Sequence, residues 1–287
     1  MPGVHIVTDS ACDLPPERTE ALGVEVVPLI IRFGDDEFVD RTELTPTDFY
    51  ARMAATSTLP ATAAPAPGVF EAAFRRCAQA GADAVVCIDL SAALSATMAS
   101  ARTAATAVAG EIDVRVVDSR SITLGLGTQV VVAAEAAAAG MEVDEVEALA
   151  VDLAGRTKVW GALDTLDNLK KGGRIGGAQA LLGSLLSIKP CIDISTGKVE
   201  EAGRTRTRRK AIQWLADKVL AEPTVEHLCV VHGGAPADAE TLCDLLAPRY
   251  PRDTITVGTI GPVIGTHGGP RVLGVTYLLS SPGVASP

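Results

Sequence analysis

Aromatic side chains are scarce in this sequence: Phe, Trp and Tyr make up only 3% of its 287 residues. Hydrophobic residues still reach 47%, and alanine and glycine dominate the composition. Small side chains let helices and strands pack closely, so this composition favours layered α/β structure over a β-sandwich. A chain of this length suits two modest domains or one large one.

Several signatures of catalysis are missing. The sequence has no G-x-x-x-x-G-K-[ST] phosphate loop and no G-x-S-x-G nucleophile motif. Its four histidines show no zinc-site spacing. The glycines at 172–177 do not follow a strand of a Rossmann unit, which argues against a dinucleotide site. We therefore expect neither a metal nor a cofactor.

Long apolar runs are also missing, since no stretch of about 18 residues is free of polar groups. The opening MPGVHIVTDS leads into a strand with no signal peptide before it. None of the six cysteines forms a C-x-x-C pair, and most lie in apolar runs, which is typical of buried thiols in a reducing compartment. These features predict a cytoplasmic protein. The net charge of −10, without a long basic block, argues against nucleic-acid binding.

Strand and helix patterns alternate from residue 1 to about 156. They include an extended run at 24–33, a continuous apolar strand at 84–88 and an Ala-rich helix at 91–109, with a Pro-, Ala- and Thr-rich loop at 55–67. This alternation predicts a parallel sheet with helices on both faces.

The pattern changes near residue 159. Strands are predicted around 159–163, 187–194, 198–204, 225–231, 254–258 and 272–279, and a Gly-rich stretch at 170–177 precedes a short apolar helix. We predict a two-domain α/β protein with its ligand between the domains. Residues 1–157 form the N-terminal parallel-sheet domain, and residues 158–287 form a second α/β domain with a mixed sheet.

Hydroxyl side chains follow the ends of the predicted strands, at 8–10, near Thr62 and at 91–97. Parallel sheets bind ligands beyond the carboxyl ends of their strands. At 91–97 a strand leads into a helix start, where free N–H groups and the helix dipole favour an anion. A serine hydroxyl there can donate to a carboxylate. The alternative is that Ser91 or Ser95 only caps the helix.

His267 lies between glycines in the segment 265–270. Such backbone can approach a ligand closely, which makes this histidine a better site candidate than one on a helix. The alternative is an exposed histidine in a turn. The apolar loop that contains Thr62 either covers a pocket or is a mobile linker, and the sequence favours neither.

Five segments together resemble the DegV family, the fatty-acid-binding (FakB-type) subunits of bacterial fatty acid kinase. The segment at 7–10 resembles the opening strand motif of the family, and the segment at 59–65 is similar to its P-x-T-S-x-P loop. The segment at 90–101 resembles S-S-G-L-S-G-T-x-x-S-A, and that at 266–270 resembles H-x-G-P-G. The stretch Leu169-Lys170-Lys171-Gly172-Gly173-Arg174-Ile175 is a fifth match. The resemblance covers nearly the whole chain.

The resemblance also assigns roles to single residues. It implies that the carboxylate of a fatty acid binds Thr62 and Ser95, on loops of the N-terminal domain, and His267. The C-terminal domain would hold the acyl-chain pocket and the His267 loop. Candidates for supporting this site are Ser10, Ser91 and Arg174. Arg206, in the basic segment 204–210, aligns with a segment that contacts the kinase.

The chain departs from the family pattern at four alanines. Ala63 replaces a serine, and Ala92, Ala93 and Ala96 replace one serine and two glycines. These changes lower the number of hydroxyls and add methyl groups near the head group.

The function that the resemblance implies is to bind a long-chain fatty acid and present its carboxylate to a separate ATP-dependent kinase, which forms an acyl phosphate. A chain of about fifteen methylenes would gain on the order of 12 kcal/mol gross from burial, reduced by the costs of binding. The missing phosphate loop agrees with this division of labour. The expected partners are the fatty acid and the kinase, with transient membrane contact.

Two other readings compete with this function. A stand-alone hydrolase or transferase would use Ser95 and His267, and it needs a hydrogen bond between them and a third group that orients the ring. A lipid-sensing binding protein would use the same lipid site without a kinase.

Overall fold

A computed structural model describes residues 3–181 and 188–280 of the chain. The strands are β1 (Val4–Asp9), β2 (Glu25–Val27), β3 (Ile30–Phe33), β4 (Asp36–Val39), β5 (Ala61–Ala63), β6 (Ala84–Asp89), β7 (Asp113–Asp118), β8 (Thr157–Ala162), β9 (Lys189–Asp193), β10 (Glu200–Thr205), β11 (Val225–His232), β12 (Thr256–Thr259) and β13 (Leu273–Leu279). The α-helices are α1 (Pro16–Ala21), α2 (Pro46–Ala55), α3 (Pro67–Gln79), α4 (Thr97–Ala107), α5 (Thr123–Ala138), α6 (Val143–Arg156), α7 (Asp167–Lys171), α8 (Arg208–Leu220), α9 (Pro236–Leu246) and α10 (Pro262–Gly268). Among these helices, none combines the length and the apolar character needed to span a bilayer.

The N-terminal domain is built on a four-stranded parallel sheet of order β2-β1-β6-β7. All six residues of β6 are buried, as expected for a central strand covered on both faces. Val85 and Val7 pack with α3 and α4 on one face. Val86 and Ile88 pack with α5 and α6 on the other. Alternate side chains of one strand therefore fill two different cores.

The C-terminal domain is built on a six-stranded mixed sheet of order β10-β9-β8-β13-β11-β12. Strands β11 and β12 are parallel, whereas the other neighbours are antiparallel. Val230 and Val275 pack with α8 and α9 on the outer face. Val159 and Val231 point to the opposite face, into the core that also receives α5 and the parallel sheet. The two domains thus share a continuous apolar core, and the predicted two-domain α/β fold is confirmed.

A third sheet corrects two predictions in the N-terminal domain. The run at 24–33 is not one strand, because it divides at Pro28 into β2, in the parallel sheet, and β3, in an antiparallel sheet of order β4-β3-β5. Proline lacks the N–H that a continuous central strand would need. The predicted loop at 55–67 contains β5, which pairs with β3. In this third sheet, the pairing of β5 with β3 fixes the position of Thr62.

The remaining bounds follow the predictions to within a few residues, apart from the start of α4. The sequence analysis did not predict three helices, α7, α9 and α10. The domain boundary at 157/158 stays a prediction; α6 ends at Arg156 and β8 begins at the next residue. Of the short apolar helix, the structure describes a 3-10 helix at Gly176–Leu181. Residue 187, where a strand was predicted to begin, lies outside the described residues.

Candidate functional site

Thr62 is held at the cavity wall by a short strand. It is the central residue of β5 and pairs with Ile31 of β3. Its Oγ1 lies 3.0 Å from Nε2 of His267, although 205 positions separate the two residues in the chain. The pairing of β5 with β3 fixes the direction of the Thr62 side chain. The position of its hydroxyl relative to His267 is therefore set by regular backbone structure.

His267, the second residue of this contact, lies at the end of a helix and not in a flexible turn, which corrects the expectation for this residue. The residue lies in the last turn of α10. This helix begins with Pro262 and ends before Gly269, which has a φ of 77°. The side-chain amide of Asn168 donates to the carbonyl of Thr266 at 2.9 Å and ties α10 to α7. The histidine ring is therefore carried by two packed helices.

Gly172 permits the close approach of the His267 ring. A Cβ built on Gly172 would lie 2.8 Å from Cε1 of His267 and closer still to Nδ1, within the range that real Cβ atoms avoid. The backbone of Gly172 is in the ordinary right-handed helical region. The absence of a side chain, and not unusual backbone freedom, is therefore what this position requires.

Ser95 belongs to a turn that precedes α4, so the predicted helix at 91–109 begins six residues later than expected. Its Oγ lies 2.8 Å from Oγ1 of Thr97. Arg174 holds this turn from the other domain, because its Nε donates to the carbonyl of Leu94 at 3.0 Å. The same guanidinium donates to the carbonyl of Gly172 at 2.7 Å. Arg174 thus links the Ser95 turn to the Gly172 segment beside His267.

Thr62, Ser95, Arg174 and His267 line one cavity between the two domains. The rest of its wall is almost entirely apolar and comes from both domains; it includes Leu29, Ile122, Val159, Ile192, Val263 and Leu273. The open volume is about 80 Å³. Typical ligand sites measure about 300–1,000 Å³, so a long ligand requires these apolar side chains to move apart.

The charge at the polar end of the cavity comes from Arg174. Burial, followed by the positive charge of Arg174, lowers the pKa of His267 to about 4. The imidazole is therefore neutral at neutral pH, and its buried Nδ1 has no hydrogen-bond partner within residues 3–181 and 188–280. A carboxylate placed between these groups would meet one guanidinium, two hydroxyls and a neutral ring. Its negative charge would favour the imidazolium and raise the pKa of His267.

Three other predicted residues lie elsewhere. Ser10 is fully buried and accepts a hydrogen bond from the N–H of Leu29 at 3.1 Å. Ser91 donates to the carbonyl of Gly197 at 2.6 Å, which joins the two domains. Neither belongs to the cavity wall described above, so their support of the site is indirect. Arg206 is exposed between β10 and α8. The roles assigned to all of these residues stay predictions.

Asp9 was missed as a residue that shapes the site. It is fully buried, and its carboxylate accepts hydrogen bonds from the N–H of Leu90 at 2.7 Å and of Ala11 at 2.9 Å. It thereby ties the end of β1 to the end of β6, from which the Ser95 turn begins. The only signal in the sequence is its place at the end of a predicted strand, between the hydroxyl residues Thr8 and Ser10.

Comparisons with known proteins agree with this architecture. A family model described as "Uncharacterised protein, DegV family COG1307" matches residues 3–280. A DegV domain-containing protein from Streptomyces coelicolor is 40% identical over 277 residues, which cover 95% of this chain and 97% of the relative.

Solved structures show the same fold. A fatty-acid-binding DegV family protein from Thermus thermophilus is 34% identical, with a TM-score of 0.89 over 97% of this chain and 100% of that one. DegV from Bacillus subtilis, described as a fatty acid binding protein, is 28% identical, with a TM-score of 0.85 over 98% of this chain and 100% of that one.

Proposed function

Because the chain belongs to the DegV family, we propose that it binds a long-chain fatty acid in the cavity between its domains and presents the carboxylate to a separate ATP-dependent kinase. One observation carries this proposal: the otherwise mostly apolar cavity wall includes four polar side chains contributed by both domains, those of Thr62, Ser95, Arg174 and His267. The acyl chain supplies affinity through burial, and the polar cluster fixes the head group.

The polar cluster suits a carboxylate better than an uncharged head group. Arg174 provides the positive charge, and its guanidinium is already oriented by the carbonyls of Leu94 and Gly172. The hydroxyls of Thr62 and Ser95 can each donate one hydrogen bond. Charge-assisted hydrogen bonds of this kind are roughly twice as strong as neutral ones.

The contacts of Ser95 and His267 argue against the hypothesis of a stand-alone hydrolase. A Ser/His enzyme needs the serine hydroxyl hydrogen-bonded to the imidazole and a third group on the other ring nitrogen. Here the Ser95 hydroxyl pairs with Thr97, and Nε2 of His267 pairs with Thr62. The other ring nitrogen, Nδ1, has no partner among the residues that the structure describes. These contacts support a binding role for the imidazole over the role of a base for a serine nucleophile.

Presentation to a kinase is the finer part of the proposal. The exposed side chain of Arg206 supports it, since it leaves a cation available for a partner surface. A lipid-sensing protein without a kinase would have the same cavity. Incubation with palmitate, ATP and a fatty acid kinase separates the two readings, because only a kinase partner yields acyl phosphate.

Mass spectrometry of lipid extracted from the purified protein tests the binding proposal. We expect about one fatty acid per chain. A variant that carries Arg174→Gln should retain less lipid, whereas Arg102→Gln, on the exposed surface of α4, should retain as much as the wild type. If no fatty acid is extracted and none binds when palmitate is added, the proposed function is wrong.

A further inference from the structure

A second open space lies beside α5, outside the cavity between the domains. It has a volume of about 720 Å³, within the range of small-molecule sites. Thr123 lines the cavity between the domains, whereas the next residue, Leu124, lines this second space together with Thr128 and Val131 of the same helix. The second space, which we call the α5 cleft, is therefore separate from the proposed lipid site.

The ionisable side chains that can face the α5 cleft are cationic or imidazole groups. Its wall includes Arg18, Arg41 and His227. Among the described residues of this wall, Asp13 is the only acid, and both of its carboxyl oxygens are buried. Burial raises the pKa of Asp13 to about 7, against the opposing charge of Arg41, so this carboxyl is only partly charged at neutral pH. In a chain with a net charge of −10, such a wall favours an anionic ligand.

Arg41 is fixed in place and has no partner for its guanidinium. Its backbone N–H donates to the carbonyl of Leu44 at 3.3 Å, and Asp40 pairs with Leu44 in an isolated β-bridge. The φ of Arg41 is 67°, a conformation that is costly for a residue other than glycine. In the part of the chain that the structure describes, its side chain forms no hydrogen bond and no ion pair. The planar guanidinium is therefore available to an anion.

His227 reaches the α5 cleft through an irregularity in a strand. The register of β11 against β13 shifts between Glu226 and Cys229, and His227 has a φ of 49°. A bulge of this kind re-aims a side chain, and bulges are frequent beside binding sites. Arg41 and His227 thus come from distant parts of the chain, both with unusual backbone, and line the same cleft.

Hydroxyl groups and aliphatic side chains complete the wall. Thr259 is exposed at the carboxyl end of β12, and its hydroxyl has no hydrogen-bond partner within the described ranges. Leu14, Leu124 and Val257 supply aliphatic surface. An inorganic anion would leave this surface and most of the volume unused. A phosphate monoester combines an organic group with about two negative charges and three strong acceptor oxygens, which suits several donors better than the two oxygens of a carboxylate.

We propose that the α5 cleft is a second ligand site, which takes a small organic phosphate ester. The phosphate group binds Arg41 and Arg18, with the hydroxyl of Thr259 as a further donor, and the organic group packs on the aliphatic side chains of the wall. Arg18 forms a 2.6 Å ion pair with Glu135, but both side chains are about half exposed, and such pairs contribute little, so a ligand can recruit this guanidinium. The site does not depend on the proposed lipid function.

Calorimetric titration with phenyl phosphate tests this proposal. Phenyl sulfate has the same shape but one negative charge, and inorganic phosphate lacks the organic group. We expect phenyl phosphate to bind at least about tenfold more tightly than either, because each analogue loses one kind of contact. The titrations are repeated with palmitate present, so that a probe bound in the cavity between the domains is recognised by competition.

Variants assign the contacts. Arg41→Gln should weaken phenyl phosphate at least about tenfold, and Arg18→Gln and Thr259→Val should each weaken it about threefold or more. Arg102→Gln, exposed and outside the cleft, is the control and should bind as the wild type does. Thermal denaturation checks folding, and the two exposed positions keep the test valid if Arg41→Gln fails to fold.

Three results would overturn the proposal. The first is that the wild type does not bind phenyl phosphate. The second is that phenyl sulfate or inorganic phosphate binds as tightly as phenyl phosphate. The third is that the folded cleft variants bind phenyl phosphate as tightly as Arg102→Gln does.

Discussion

Gly172→Ala is a small change that should disable the head-group site. The new methyl group would lie 2.8 Å from Cε1 of His267 and closer to Nδ1, whereas ordinary contacts begin at 3.4 Å. The backbone at Gly172 already has a conformation that alanine adopts freely. The clash therefore has to be relieved by movement of the imidazole, by roughly 1 Å, and not by rearrangement of the chain.

The expected loss follows from the geometry of the Thr62–His267 contact. A ring shift of this size moves Nε2 away from the position in which it lies 3.0 Å from Oγ1 of Thr62, so the hydrogen-bond geometry at the polar end of the cavity is lost. Each lost hydrogen bond to a charged ligand group is worth roughly 1.5–3 kcal/mol. Fatty acid binding should therefore weaken by about tenfold to a hundredfold. Overpacking should also reduce the free energy of unfolding by about 1–3 kcal/mol.

Gly177→Ala is the matched control for Gly172→Ala. A Cβ at Gly177 would lie 3.5 Å from its nearest neighbour, the Cα of Glu200, which is an ordinary contact. Palmitate affinity is measured by calorimetric titration of both variants and the wild type, and folding is checked by thermal denaturation. If the folded Gly172→Ala protein binds palmitate as tightly as the Gly177→Ala protein, the reasoning about His267 is refuted.

Three further predictions address other parts of the molecule. Thr62→Val and Ser95→Ala should each weaken palmitate binding by about tenfold or more in the same titration, and unchanged affinity in both would remove these hydroxyls from the head-group site. Arg206→Ala should slow acyl phosphate formation by a fatty acid kinase and leave palmitate affinity intact, whereas Arg102→Ala should change neither; a loss of lipid binding by the Arg206 variant would contradict the assigned kinase contact. Burial raises the pKa of Asp13 to about 7, so the folded chain keeps a proton that the unfolded chain has already released. The contribution of Asp13 to the free energy of unfolding therefore falls as the pH rises from about 4 to about 7. In urea denaturation, the decrease in the free energy of unfolding between about pH 5 and pH 8 should be smaller for Asp13→Asn than for the wild type by roughly 3 kcal/mol. An unchanged pH profile would contradict the raised pKa.

The sequence predicted the layered architecture well because its strong patterns are local. The continuous apolar run at 84–88 became the buried central strand β6, as its hydrophobicity required. Local patterns could not show that the run at 24–33 serves two sheets. That division depends on Pro28 and on pairing with β5, a strand of three residues inside an apparent loop. Short strands are specified by their partners more than by their own composition.

The candidate site was found in part because its polar residues lie in distinctive segments. Thr62, Ser95 and His267 line one cavity although they come from three distant parts of the chain. Glycine spacing alone did not reveal the role of Gly172, since the requirement is the space beside the His267 ring and not a turn.

The central claim is that this chain binds a long-chain fatty acid through its carboxylate at the polar end of the cavity between the two domains. Carbon NMR of palmitate labelled at its carboxyl carbon observes that contact directly. We predict one bound carboxyl resonance, at about one equivalent per chain, whose chemical shift changes in Thr62→Val and Ser95→Ala but not in the Gly177→Ala control. The absence of a bound resonance, or a bound resonance that neither hydroxyl variant alters, would contradict the account.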